Sequence, residues 1–317
     1  MPTLYHDSPI DTASSPAARL RATMAAVRLS FTWFGVRKTL SAVQKAEAAA
    51  TFDAEGSFLS AGKKLLDTSH PAYKAVTSLR GRLLSFWRGM SLPFPDAGIR
   101  LIRQDDIALF EVQCTSLQSE LADAVAILDD HYGELKRRAQ NRLGRLFNPA
   151  DYPSSLRTLF AVSWDYPSVE PPEYLRRLSP ALYEQEKSRI AARFDEAVRL
   201  AEQAFQGELT KLVSHLCERL TGQDDGKPKI FRDSAIENLN EFFERFRSLS
   251  IQSDEQLEQL VEQAQRVIRG IAPETLRENA GMRQAVATQL SAVQATLDGL
   301  MVDRPRRNLL RPAREVA

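Results

Sequence analysis

Cysteine is nearly absent from this chain: Cys114 and Cys217 are the only two in 317 residues. A scaffold stapled by disulfides is excluded, and a reduced, cytoplasmic setting is expected. Histidine is also rare, with His6, His70, His131 and His215 and no His-x-x-x-His or Cys-x-x-Cys spacing to place two ligands on one metal. The 14 glycines form neither a Gly-x-Gly-x-x-Gly turn nor a loop ending in Gly-Lys-Ser/Thr, and there is no Gly-x-Ser-x-Gly elbow. No window reaches the ~18 uncharged apolar residues of a membrane span. Residues 1–15 lack a basic segment followed by an apolar run, so no secretory signal is read there. Nothing in this pattern calls for a metal, a cofactor or a small-molecule substrate, and no enzyme is expected.

What the chain has in quantity is amphipathic helix. Over 105–146, apolar or small residues recur at Ile107, Phe110, Cys114, Leu117, Leu121, Ala124, Leu128, Tyr132, Leu135, Ala139, Leu143 and Leu146. Over 179–220 they recur at Tyr183, Ile190, Phe194, Ala197, Ala201, Phe205, Leu209, Leu212, Leu216 and Leu220. Steps of three and four mark a helix buried along one line. Each stretch would run roughly 60 Å as a continuous helix. Paired side by side, the two predict an antiparallel coiled-coil hairpin.

Shorter elements surround them. A helix opens at Pro16 and runs to about Leu29, and aromatic and β-branched residues at 29–36 read as a strand. Residues 42–50 are helical, 51–62 form a loop, and a further helix spans 71–89 before the double-proline turn at 92–98. Residues 99–102 and 159–164 (Leu-Phe-Ala-Val-Ser-Trp) are strand-like, and the three strands predict a small sheet. Gly222 ends the second long helix, and a linker follows at 223–228. Helices at 233–249, 254–268 and 282–301 come next, the second opening on a Ser253/Gln256 capping box. The arginine-rich tail is expected to be disordered. The fold class is therefore mainly α, a long antiparallel coiled-coil hairpin with a small α/β cap and a C-terminal helical subdomain. Its segments are a basic cap at 1–104, the hairpin at 105–222 with a strand-bearing insert at 147–178, helices at 229–302 and the tail at 303–317.

Net charge is +1, unevenly placed: residues 12–95 hold twelve Lys/Arg against four acids, a local +8. This asymmetry predicts an anionic partner or an acidic protein surface. The candidate contact residues are Arg37, Lys38, Lys63, Lys64 and Arg80 in the basic third, Arg137, Arg138 and Arg142 at the end of the first long helix, and Arg306 and Arg307 in the tail. Their bland reading is a solvated face and helix-dipole complementarity; their functional reading is a phosphate-contacting surface. Asp129, Asp130, His131 and Glu134 read as a solvated helix face rather than a ligand set. Cys114 sits at a seam position, where buried cysteine behaves as a small hydrophobe. Trp33, Trp87 and Trp164 read as core.

Several features combine into a pattern across about 26–220: Trp33 before the basic pair Arg37–Lys38, then Ala-Gly-Lys-Lys-Leu-Leu-Asp at 61–67, and a helix carrying Leu79 and Arg80. A proline turn at 92–95, a long helix and a strand segment at 162–172 complete it. This arrangement resembles the phage- and plasmid-associated family called domain of unknown function 3150. The resemblance supplies no catalytic residues. It implies a partner in an assembly with a MoxR-like AAA+ ATPase and a von Willebrand factor A-type protein.

The leading expectation is a non-enzymatic structural or adaptor protein that works through helical surfaces, by self-association or by binding such an ATPase. The alternative is a nucleic-acid-binding protein using the basic third and the arginine tail. An enzyme with a novel site would require a pocket of several carboxylates or His131 with perturbed pKa values.

Overall fold

The computed structural model describes residues 15–221 and 233–302. The expected linker at 223–228 and the tail, including Arg306 and Arg307, lie outside the described residues. In chain order the elements are α1 (Pro16–Thr23), β1 (Met24–Trp33), β2 (Arg37–Thr39), α2 (Ala42–Ala50), β3 (Gly62–Lys64) and α3 (Pro71–Gly89). There follow β4 (Ser91–Pro93), β5 (Ile99–Arg103), α4 (Ile107–Asp130), α5 (Tyr132–Leu143), β6 (Phe160–Asp165) and α6 (Tyr174–Leu178). The rest is helical: α7 (Pro180–Thr221), α8 (Ser234–Leu249), α9 (Glu255–Ile268), α10 (Pro273–Glu278) and α11 (Ala280–Val302). The fold is mainly α with a small antiparallel sheet. No described helix is long and apolar enough to cross a membrane.

The described chain divides into two compact units: a sheet unit of 24–91 and 96–169, and a helical unit of 15–23, 92–95, 170–221 and 233–302. This division cuts across the expected segments at 1–104, 105–222 and 229–302. The first long stretch belongs with the N-terminal cap, and the second belongs with the C-terminal helices.

In the sheet unit β1 runs antiparallel between β5 and β6, with Ala26 opposite Leu101 and Phe31 opposite Val162. The expected sheet of three short strands is therefore present. The first helix, however, ends at Thr23 rather than near Leu29, because Met24–Arg28 pair with Ile99–Arg103. Ladder hydrogen bonds to β5 override local helix propensity there. From Val27 onward β1 alternates, sending Val27, Leu29, Phe31 and Trp33 into or against the core and Arg28, Ser30 and Thr32 outward. Trp33 meets Phe160 edge-on at 4.9 Å between ring centroids. Arg100 of β5 donates to the Ser91 hydroxyl (2.8 Å) and carbonyl (2.6 Å), which sets the start of β4.

Helices α3 and α4 cover this sheet. Their buried stripes, Tyr73, Val76, Leu79, Leu83 and Trp87 on α3 and Phe110, Cys114, Leu117, Leu121, Val125 and Leu128 on α4, join one core with Phe160 and Val162. Phe86 stacks on Phe110 at 5.7 Å. Gln118 donates to the Val162 carbonyl (2.8 Å), and the Trp164 indole and Tyr166 hydroxyl both donate to Glu111 (2.8 and 2.7 Å), tying α4 to β6. The first long stretch is interrupted for one residue at His131 (φ −84°, ψ −7°), where the His131 N–H still donates to the Ile127 carbonyl (3.3 Å) and the Leu135 N–H to the His131 carbonyl (3.0 Å). It stops at Gly144 (φ +49°), a left-handed position that favours glycine. Asp, His and Gly around the break are weak helix formers.

In the helical unit α7 is continuous over 42 residues. Its buried line, Ile190, Phe194, Ala197, Ala201, Phe205, Leu209, Val213, Leu216 and Leu220, packs chiefly on α11, with α1, α8 and α9 around it. Phe205 meets Phe246 at 5.0 Å and Phe242 at 6.2 Å, both edge-on. Val213, not Leu212, occupies the seam, and Tyr183 is only half-buried. The Arg21–Glu170 pair fastens α1 within this unit. Helix α9 is capped by Asp254 rather than Ser253, its carboxylate accepting the Gln256 and Leu257 N–H groups (3.1 and 3.0 Å). Between the helices expected at 254–268 and 282–301 lies a further short helix, α10. Each long helix thus buries its stripe inside its own unit, in place of the expected mutual seam. A line of apolar residues shows that a helix face is covered without naming the cover.

Candidate functional site

Apart from Arg80 on α3, the basic candidates of the sheet unit gather on the paired strands β2 and β3 and on α5. This two-stranded antiparallel sheet sets Arg37 opposite Lys64, Lys38 opposite Lys63, and Thr39 opposite Gly62. Like charges directly opposite destabilise a strand pair unless an anion intervenes. Gly62 permits the close approach: a Cβ there would stand 3.2 Å from the Lys38 carbonyl oxygen.

Asp151 is the intervening anion. A short 3₁₀ turn, Pro149–Asp151, presents it, and the Asn148 side chain accepts the Ala150 N–H (3.0 Å) to start that turn. Lys38 Nζ lies 2.5 Å from Asp151 Oδ1, and Lys63 Nζ lies 2.7 Å from Oδ2 and 2.6 Å from the Leu146 carbonyl oxygen. The Asp151 and Lys63 side chains are 2% and 5% exposed, whereas that of Lys38 is 56% exposed. The lysines hold the Asp151 carboxyl below its usual range, Lys38 first and Lys63 second. Two of the expected contact residues, Lys38 and Lys63, are therefore a structural latch between the β2–β3 strand pair and the segment before β6. Arg80 is similarly engaged, its guanidinium lying over the Trp33 ring (4.9 Å) and the Phe31 ring (5.3 Å).

Beside this latch a cleft of about 430 Å³ opens between residues 64–69 and α5. Lys64, Arg138 and Arg142 line it, so the fold unites three candidates that are far apart in sequence. Spacing of four residues places Arg138 and Arg142 on one face of α5. Buried Leu65 and Leu66, with Ala139 and Leu143, supply its apolar walls. Asp67 is the one carboxylate in the lining. Its Oδ1 accepts the Ser69 N–H (3.1 Å) and hydroxyl (2.6 Å), and Oδ2 accepts from Arg142 (2.8 Å). These donors, Ser69 foremost, bring the Asp67 carboxyl from 3.8 to about 2. Arg138 contacts Glu134 at 2.5 Å in an exposed i,i+4 pair. Among the described residues Arg37, Lys64 and Arg137 are exposed and have no ion-pair partner.

Asp129, first read as part of a solvated face, instead organises the approach to β6. Its carboxylate accepts the Leu156 N–H (2.7 Å), the Ser155 hydroxyl (2.9 Å) and Arg157 Nε (3.2 Å). Burial opposes its ionisation, but those three donors outweigh burial and lower its pKa. His131 lies 4.0 Å from Glu134 and its ring 5.1 Å from that of His70. No group of three potential metal ligands occurs among the described residues. Burial pushes the Cys114 thiol up to about 12, and it raises Cys217 as well, so both stay protonated at neutral pH.

The residues that sequence reasoning missed are the acids, Asp67, Asp129 and Asp151. Asp151 lies 113 residues beyond Lys38, with nothing local to announce the contact. Comparison with protein families, curated proteins and solved structures found no match for the chain.

Proposed function

We propose that the chain is a non-enzymatic adaptor that binds a protein partner through its helical surfaces. One observation carries this reading. Tyr174 and Leu178 of α6 and Leu182 at the start of α7, on either side of the extended residue Ser179, are 63%, 77% and 47% exposed. No residue of α7 before Ile190 is buried, so among the described residues its first turns are only partly covered. Burying a leucine on binding contributes roughly 1.5–3 kcal/mol, and large apolar side chains left this exposed within nine residues favour an interaction site. The unreactive thiols and the structural use of Asp129 and Asp151 favour the same reading. The resemblance noted above nominates a MoxR-like AAA+ ATPase as the partner, with self-association as the other route.

The test titrates full-length chain with a purified MoxR-like AAA+ ATPase, beside a Leu178→Glu/Leu182→Glu variant. Saturable binding by the parent chain and its loss in the variant are expected. Binding indifferent to both substitutions would refute the assignment to these residues.

Nucleic-acid binding is a second reading, favoured by exposed Arg37, Lys64 and Arg137 on the sheet unit. Lys38, Lys63 and Arg80 already serve intramolecular contacts, which weakens it. Affinity for mixed-sequence DNA that falls steeply with salt would support this alternative.

A further inference from the structure

We infer that the cleft lined by Lys64, Arg138 and Arg142 binds a small phosphorylated compound with a flat apolar body, of which a nucleoside monophosphate is the simplest representative. This goes beyond the adaptor reading and does not depend on it. The volume of about 430 Å³ lies inside the ~300–1,000 Å³ range of small-molecule sites. Its walls combine apolar surface from Leu66, Ala139 and Leu143 with three cations, the composition that an amphipathic anion requires.

The cations retain binding capacity. Lys64 has no ion-pair partner among the described residues, and its ammonium offers three N–H donors. Arg138 gives one terminal nitrogen to Glu134, and Arg142 gives one to Asp67, leaving most of each five-donor fork available. Guanidinium forks match phosphate geometry in pairs of parallel hydrogen bonds. Asp67 would repel a phosphate if it were free. Its oxygens are instead occupied by Ser69 and Arg142, and its carboxylate holds the Arg142 side chain at the cleft.

A second arginine-lined hollow, with Arg247, Arg266 and Arg269 in the helical unit, is the weaker site for an anion. It sits at the C-terminal end of α9, where exposed carbonyls carry negative dipole. The α5 cleft also adjoins a helix C-terminus, but its other wall, residues 66–69, leads into the N-terminus of α3.

The test measures binding of adenosine 5′-monophosphate, adenosine and inorganic phosphate to the full chain by calorimetry, with Lys64→Ala/Arg138→Ala in parallel. Neither substitution removes more than an exposed pair, so thermal melting should match the parent. The monophosphate should bind the parent more tightly than either fragment does, and the double variant should weaken it at least tenfold. Equal affinity for phosphate alone would overturn the role of the apolar walls. Absence of monophosphate binding, or binding unchanged in the variant, would overturn the site. A single-stranded oligonucleotide that binds while the monophosphate does not would also overturn it, and would support the backbone-binding alternative.

Discussion

Replacing Asp151 by asparagine keeps the shape of the latch and removes its charge. Lys63, 5% exposed, would then hold an ammonium in the interior with only neutral acceptors, the asparagine amide oxygen and the Leu146 carbonyl, to balance it. Breaking a buried pair by removing one partner costs about 3–5 kcal/mol. The surviving carbonyl contact places the expected loss near the lower end, about 3 kcal/mol. Lys38 is more than half exposed, so Lys38→Ala should cost less than about 1 kcal/mol. Replacing both Asp151 and Lys63 by leucine and methionine should recover much of the loss, since apolar substitutes for a buried pair are often neutral or better. Tryptophan fluorescence during urea unfolding is the assay. Trp33, Trp87 and Trp164 all belong to the sheet unit, so their emission follows that unit alone. A loss below about 0.5 kcal/mol for Asp151→Asn would refute the view that Lys63 depends on this carboxylate.

Further outcomes follow from other contacts. The Asp67 carboxyl is depressed from 3.8 to about 2, so the stability it lends is fully present above about pH 4 and is lost as pH falls toward 2. Asp67→Asn should flatten that part of the acid unfolding curve, which a pH titration followed by circular dichroism would read. Phe110→Ala empties a fully buried site between α3 and α4 and should cost about 3–5 kcal/mol in the same fluorescence assay. Both thiols are buried, with pKa values raised by burial, so alkylation by iodoacetamide at neutral pH should be slow in the folded protein and fast in urea. Mass spectrometry of timed aliquots measures this, and rapid labelling without denaturant would contradict the burial.

Local elements were legible where chemistry and packing point the same way. The helix expected at 71–89 is α3, and the aromatic, β-branched run at 159–164 is β6 within one residue. The small sheet was legible for the same reason. Pairing of the two long helices was not, because Phe110 and Phe194 declare only that each faces an interior. Which interior is decided by the sheet for α4 and by α11 for α7, through contacts between segments far apart in the chain. The cleft was legible as cations but not as a cleft. Arg138 and Arg142 follow from helical spacing, whereas Lys64 reaches them only after β3 has paired with β2 and Asp151 has neutralised the neighbouring lysines.

The claim on which the functional account rests is that Tyr174, Leu178 and Leu182 form a protein-docking face. Light scattering of the full chain, alone and mixed with a MoxR-like AAA+ ATPase, measures it most directly. The account predicts a mass above that of the monomer in at least one condition and a return to the monomer mass with Leu178→Glu/Leu182→Glu. A parent chain that stays monomeric in both conditions, or a complex that survives the two substitutions, would contradict it.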